Sequence, residues 1–123
     1  MIAIKETPLY ITREMCFDAG IEHTPEKICY AALDERNICG YCIFTLRDKT
    51  AVIEYAKAPT NDILDGVVRA AIAGGEEKGA EYYDFEIPKD LAEKLILLGF
   101  RKAPGTTPHS IKKLFTACTG CQK

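Results

Sequence analysis

No run of lysine and arginine occurs anywhere in the 123 residues, and no basic stripe is interleaved with aromatics. Affinity for nucleic acid rests largely on phosphate contacts, so that class of partner is excluded. The 16 basic and 18 acidic residues are well mixed and leave a net charge of −2. The apolar stretches fall far short of the roughly 20 residues that a bilayer-spanning helix takes, which excludes a membrane anchor of that kind. The first residues, Met1 to Glu6, lack the charged-then-apolar pattern of a signal peptide, so a cytoplasmic location is expected. Repeats, linkers and low-complexity segments are also missing, and 123 residues suit one domain with one core. With 47% hydrophobic and 28% charged residues the composition is that of an ordinary globular chain.

Cysteine, by contrast, is plentiful, with six. An even count fits a secreted disulfide framework, but without an export signal reduced thiols are expected. Two Cys-x-x-Cys pairs stand out, Cys39/Cys42 and Cys118/Cys121. If Cys39 and Cys42 lie in a strand, their offset of three points them to opposite faces, which is wrong for gripping one ion. The tail pair contains glycine and is the better candidate for metal or redox chemistry, although its partner pair lies too far off for a zinc ribbon. Cys16 and Cys29 read as core residues. His23 and His109 sit beside loop prolines and read as exposed, with neither a ligand nor a nucleophile near them in sequence.

Element periodicities follow. A short initial strand precedes a weak helix from Pro8 to Asp18, which Gly20 is placed to end. Lys27–Leu33, Ile38–Leu46 and Ala51–Ala58 are β-prone runs separated by the polar turns Asp34–Asn37 and Arg47–Thr50. Turns this short make the three strands an antiparallel meander. Ile63, Leu64, Val67, Val68, Ala71 and Ile72 then recur at helical spacing and continue to Gly75. Thr60 or Asn61 can cap this helix and Gly79 can end it. Glu81–Ile87 alternates as a strand, with Tyr83, Phe85 and Ile87 on one face. Pro88 opens a helix striped by Leu91, Leu95 and Leu98 and stopped by Gly99. The loop Pro104–Pro108 leads to a last strand, Ser110–Ala117. The strand–helix–strand crossover makes Ala51–Ala58 and Glu81–Ile87 parallel neighbours, which gives an α+β fold with a mixed sheet.

This element order, with Asn37-Ile38-Cys39-Gly40-Tyr41-Cys42-Ile43-Phe44 in the meander and Leu97-Leu98-Gly99-Phe100-Arg101 ending the last helix, resembles the GNAT superfamily of acetyl-CoA-dependent N-acyltransferases. The likeness covers roughly residues 27–117. It implies that the N-terminus of the long helix receives the pyrophosphate of acetyl-CoA, where unpaired backbone N–H groups and the helix dipole favour negative charge. The segment matching the family's Gln/Arg-x-x-Gly-x-Gly/Ala motif is Asn61-Asp62-Ile63-Leu64-Asp65-Gly66. Gly66 matches, and Leu64 stands where the first glycine belongs. Asp62 and Asp65 suit the helix dipole and would also repel a pyrophosphate. The resemblance assigns Glu54, on the fourth strand, the role of base toward an amine acceptor, with Val52 and Ala56 sharing its face. The tyrosine that often protonates the leaving thiolate is replaced by Leu95. Tyr55, Tyr82 and Tyr83 read as packing residues. With room for about one helix before the meander, the acceptor site is open or is finished by a second copy in a homodimer. Three functions are therefore carried forward: an acetyl-CoA-dependent N-acetyltransferase acting on an amine, an inactive GNAT-like binding module, and a thiol-redox or metal protein acting through the tail cysteines.

Overall fold

A computed structural model describes residues 2–100, 109–112, 114 and 115. Six strands form one sheet in sequence order, β1 (Ile2–Glu6), β2 (Lys27–Asp34), β3 (Asn37–Arg47), β4 (Thr50–Lys57), β5 (Tyr82–Phe85) and β6 (His109–Ser110). All neighbours are antiparallel except β4 and β5, which run parallel. The parallel pair follows from the crossover through helix α2 (Asn61–Glu77). Helix α1 (Leu9–Ala19) joins β1 to β2, and helix α3 (Lys89–Leu97) follows β5.

Two cores flank the sheet. Val67, Val68, Ala71 and Ile72 of α2 are fully buried with Phe44, Ile53, Tyr83 and Leu95 on one side. On the other, Cys16 of α1 packs with Cys29, Ala31, Tyr41 and Ile43. The long helix starts at the Thr60 cap, whose Oγ1 accepts from Ile63 N–H at 3.3 Å. Positive-φ glycines follow α1, α2 and α3: Gly20 (φ 74°), Gly79 (φ 106°), expected from sequence to end the long helix, and Gly99 (φ 100°). The Leu91, Leu95 and Leu98 stripe faces the core as its spacing predicts.

Two bulges alter what a regular strand would do. Between β2 and β3 the pairing passes from Ala32↔Gly40 to Leu33↔Ile38, so Cys39 is an extra residue. Parity shifts there, and Cys39 packs on the α2 side together with Cys42 instead of facing away from it. Between β3 and β4 the pairing passes from Ile43↔Tyr55 to Phe44↔Ile53, which leaves Glu54 as the extra residue. Ala56 consequently belongs to the α2 side and does not share the face of Glu54, while Tyr55 lies on the α1 side.

The chain after the Pro104–Pro108 loop also departs from expectation. Of the described residues there, only His109 and Ser110 pair with β5, and Ile111, Lys112, Leu114 and Phe115 are helical. Ile111 and Leu114, three apart, are the buried ones among the described residues there, a helical spacing that so short a run, Ile111-Lys112-Lys113-Leu114-Phe115, does not by itself distinguish from a strand. His109 is half-buried against the ring of Tyr83 at 5.5 Å. His23 is half-buried too, so neither histidine is the exposed loop residue expected. Pro104–Pro108, Cys118 and Cys121 lie outside the described residues.

Candidate functional site

The parallel pair β4–β5 is short. It holds from Thr50↔Tyr82 to Ile53↔Phe85, and a last bond runs from Glu86 N–H to Ile53 O at 2.8 Å. Beyond this point β4 continues through Lys57 paired with β3 but not with β5, while the chain after β5 turns at Pro88 into α3. The two segments splay, and the bulge at Glu54 sits where they part. A cleft of about 300 Å³ fills the gap, lined by Tyr55, Ala56, Lys57, Ala58, Leu64, Pro88, Asp90, Leu91 and Lys94. It reaches the first turns of α2, whose leading N–H groups have no acceptor inside the helix.

The residues singled out from sequence do not all lie on this cleft. Leu64 is buried and forms part of the wall. Asn61 is exposed at the first position of α2. A Cβ on Gly66 would come 3.0 Å from Ile4 Cδ1, so its bare face lets α2 approach β1. Asp62 is exposed in the first turn, where its charge favours the helix. Asp65 is drawn back along the helix to Arg69, its two oxygens 3.0 and 3.1 Å from Nε. The Arg69 guanidinium in turn lies 4.7 Å above the Phe100 ring. Leu95 is fully buried in the α2-side core and brings no hydroxyl to the cleft.

Glu54 is tightly held. Its Oε1 accepts from Lys27 Nζ at 2.6 Å and from Thr45 Oγ1 at 2.9 Å. Arg47 stands 3.6 Å from Oε2 and also bonds Glu86 at 2.6 Å. Four sheet segments are thereby laced on the α1 side. Lys27 and Thr45 are cross-strand partners, so both face the carboxylate. The side chains of Lys27 and Glu54 are only 11% and 13% exposed, which strengthens their attraction over that of a surface pair.

A second cavity of about 350 Å³ adjoins the first across Lys57 and Ala58, and is lined further by Met15, Asp18, Ile38, Cys39, Gly40, Tyr41 and Pro59. Tyr41 donates its hydroxyl to Asp18 Oδ2 at 2.5 Å, and Lys57 Nζ is 3.6 Å from the same oxygen. The Tyr41 hydrogen bond, then the Lys57 charge, hold the Asp18 carboxyl below the usual carboxylate range. Burial, reinforced by Asp18, pushes the Tyr41 phenol well above its ordinary value. Lys27, Thr45, Arg47, Asp18 and Tyr41 were not among the residues picked from sequence. The register of the meander could have placed Lys27 opposite Thr45, but nothing local in sequence connects Asp18 to Tyr41.

The described cysteines, Cys16, Cys29, Cys39 and Cys42, are free thiols. Burial pushes Cys29 up to about 12 and raises Cys16 and Cys42 as well, which disfavours the nucleophilic thiolate. Cys39 Sγ lies 3.4 Å from the Ala32 carbonyl oxygen. No cluster of three or more metal-ligating side chains occurs among the described residues, and no described helix is long and apolar enough to cross a membrane.

No protein-family model matches the chain, and no curated protein matches it either. Solved structures do. A ribosomal-protein-alanine N-acetyltransferase from Brucella melitensis biovar Abortus 2308 superposes with TM-score 0.67 at 11% identity, over 87% of this chain and 96% of that one. A predicted acetyltransferase from Clostridium acetobutylicum, solved with acetyl-CoA, gives TM-score 0.60 at 11% identity, over 92% and 98% of the two chains. A GNAT-family acetyltransferase from Streptococcus pneumoniae TIGR4 gives 0.57 at 16% identity, over 82% and 88%. At such identities the likeness speaks for fold, and with the antiparallel meander, the crossover helix and the splayed parallel pair it establishes that this chain has the fold of the GNAT superfamily.

Proposed function

We propose that the chain, as a single domain, is an acetyl-CoA-dependent N-acetyltransferase that binds its acyl donor in the cleft between β4 and α3. The observation that carries this reading is the cleft's course. It runs from Tyr55, next to the bulge at Glu54, along Tyr55–Ala58 to Leu64 in the first turns of α2. A free strand edge offers backbone groups to the amides of an extended arm, and a helix N-terminus suits a pyrophosphate. Asn61 and the first-turn N–H groups would hold the phosphates, Leu64 and Leu91 the apolar part of the arm, and Gly66 keeps the helix seated on β1. The donor supplies an activated acetyl thioester. Glu54, at the acyl end of the cleft, is the candidate proton acceptor for an amine approaching from the α1 side, where α1 is the one helix among the described residues.

Two observations favour a second reading, a binding module without turnover. Glu54 is committed to Lys27 and Thr45, and Leu95 supplies no general acid for the leaving thiolate. Both readings require donor binding, and they part at chemistry. Thermal unfolding with and without acetyl-CoA tests the shared part, because a ligand bound only to the folded state raises the midpoint. Thiol release from acetyl-CoA in the presence of a panel of primary amines tests turnover. Stabilisation with thiol release supports the enzyme, stabilisation alone supports the module, and neither result contradicts both.

A further inference from the structure

Lys27 opens β2 on the α1 side, and its long side chain does not run out to water as lysines on open sheet faces do. It turns inward, 11% exposed, with Nζ 2.6 Å from Glu54 Oε1 and 3.4 Å from Thr45 Oγ1. Glu54 is the bulge residue at the parting of β4 and β5. An amine therefore already occupies the place beside the candidate base that an acceptor amine would have to reach. Lys49 and Lys57, by comparison, are 69% and 61% exposed and pair with Glu81 and Asp18.

We propose that Lys27 is an acetylation site and that the protein modifies itself there. The inference rests on the reading of the cleft as an acetyl-CoA site. Glu54 takes one proton from the Lys27 ammonium along the 2.6 Å hydrogen bond and passes it to solvent. The freed nitrogen lone pair forms a bond to the thioester carbonyl carbon, and the carbon–sulfur bond breaks. The sulfur keeps that electron pair and takes the second proton from the nitrogen. The products are N-acetyl-Lys27, free coenzyme A and one released proton, and no oxidant or reductant is needed. The modification removes the lysine charge and leaves the Glu54 carboxylate facing Arg47, 3.6 Å away, as its remaining cation in this group.

The test uses the purified full chain incubated with acetyl-CoA. Mass spectrometry of the intact protein and of its peptides follows the acetylation rate at each lysine, while calorimetry on the same preparation measures acetyl-CoA binding. In folded protein Lys27 should gain an acetyl group at least about tenfold faster than the exposed Lys49 and Lys57, despite its burial. In urea-unfolded protein that preference should vanish. Glu54→Gln should slow Lys27 acetylation on the order of a hundredfold, the lower end of a positioned general base, without slowing Lys49. Lys27→Arg should leave the intact protein unmodified in the early phase. If acetyl-CoA binds yet Lys27 stays unmodified while the exposed lysines react, the inference is wrong and the cleft reading stands. If acetyl-CoA does not bind, both fall. The folded-versus-unfolded comparison uses wild-type protein alone, so it decides the matter even where a variant fails to fold.

Discussion

Two glycines of α2 face different neighbours, and the same substitution should move stability in opposite directions. In a helix interior, Gly→Ala gains about 1 kcal/mol from backbone entropy alone. At Gly66 the new methyl would meet only Ile4 Cδ1, at 3.0 Å, the tip of a flexible side chain on the edge strand β1. A small rotation of Ile4 relieves that contact, so Gly66→Ala should stabilise by about 0.5–1 kcal/mol. At Gly74 the methyl would fall inside van der Waals contact of Tyr30 Oη and Cζ and lie 2.7 Å from Cε1. The Tyr30 ring has little room to retreat, because it stacks on the buried Phe44 at a centroid distance of 6.2 Å. Overpacking of this kind costs about 1–3 kcal/mol, which outweighs the entropic gain and leaves Gly74→Ala net destabilised by about 1 kcal/mol. Urea unfolding at constant temperature measures both, and the two variants should differ by about 2 kcal/mol, large against typical surface substitutions. If both variants are stabilised equally, Tyr30 does not pack on Gly74 and the seating of α2 on the sheet is wrong. Because Gly66 turns its bare face to β1, Gly66→Ala should also leave acetyl-CoA affinity unchanged, and a large loss would place that face on the ligand instead.

Charge at the mouth of the cleft gives a second test. Asp65 is already paired with Arg69, so the repulsion of a pyrophosphate falls on Asp62, and Asp62→Asn should tighten coenzyme A by roughly 1 kcal/mol, a severalfold gain that shrinks as salt rises. Titration calorimetry at two ionic strengths reads this, and an unchanged affinity at low salt would remove Asp62 from the site. The third prediction concerns acid. The folded-state Asp18 carboxyl is depressed by Tyr41 and Lys57, so its contribution to stability is present above its unfolded value, about 3.9, and is lost as pH falls through the folded value. The gap in stability between wild type and Asp18→Asn, followed by denaturant unfolding, should be constant above about pH 5 and close progressively below pH 4; a gap that persists to the lowest pH would mean that the carboxylate is not the stabilised form.

Much of this arrangement was legible in the sequence because it depends on period and punctuation. The stripe from Ile63 to Ile72 and the alternation of Tyr83, Phe85 and Ile87 each bury one face, and no other register satisfies them. The short polar turns permit nothing but antiparallel neighbours. Glu54 and Leu64 were reached through the family resemblance, and the structure sets both beside the splay. The bulges were not legible. One extra residue leaves no compositional trace, yet it moves Cys39 to the side of Cys42 and separates Ala56 from Glu54. Long-range partners were equally hidden, since the contacts of Glu54 with Lys27 and of Tyr41 with Asp18 span 27 and 23 residues. The stretch after Ser110 turned on two buried positions, Ile111 and Leu114, whose spacing alone separates helix from strand.

The central claim is that the gap between β4 and α3 binds an acyl-coenzyme A with its phosphates at the start of α2. A backbone-amide NMR titration of isotopically labelled protein with acetyl-CoA tests it most directly, because it reports both binding and place. The account predicts saturable shifts concentrated at Tyr55–Ala58, at Asn61–Leu64 and at Leu91, with the edge strand β1 unmoved. Shifts confined to other surfaces, or none at millimolar ligand, would contradict it.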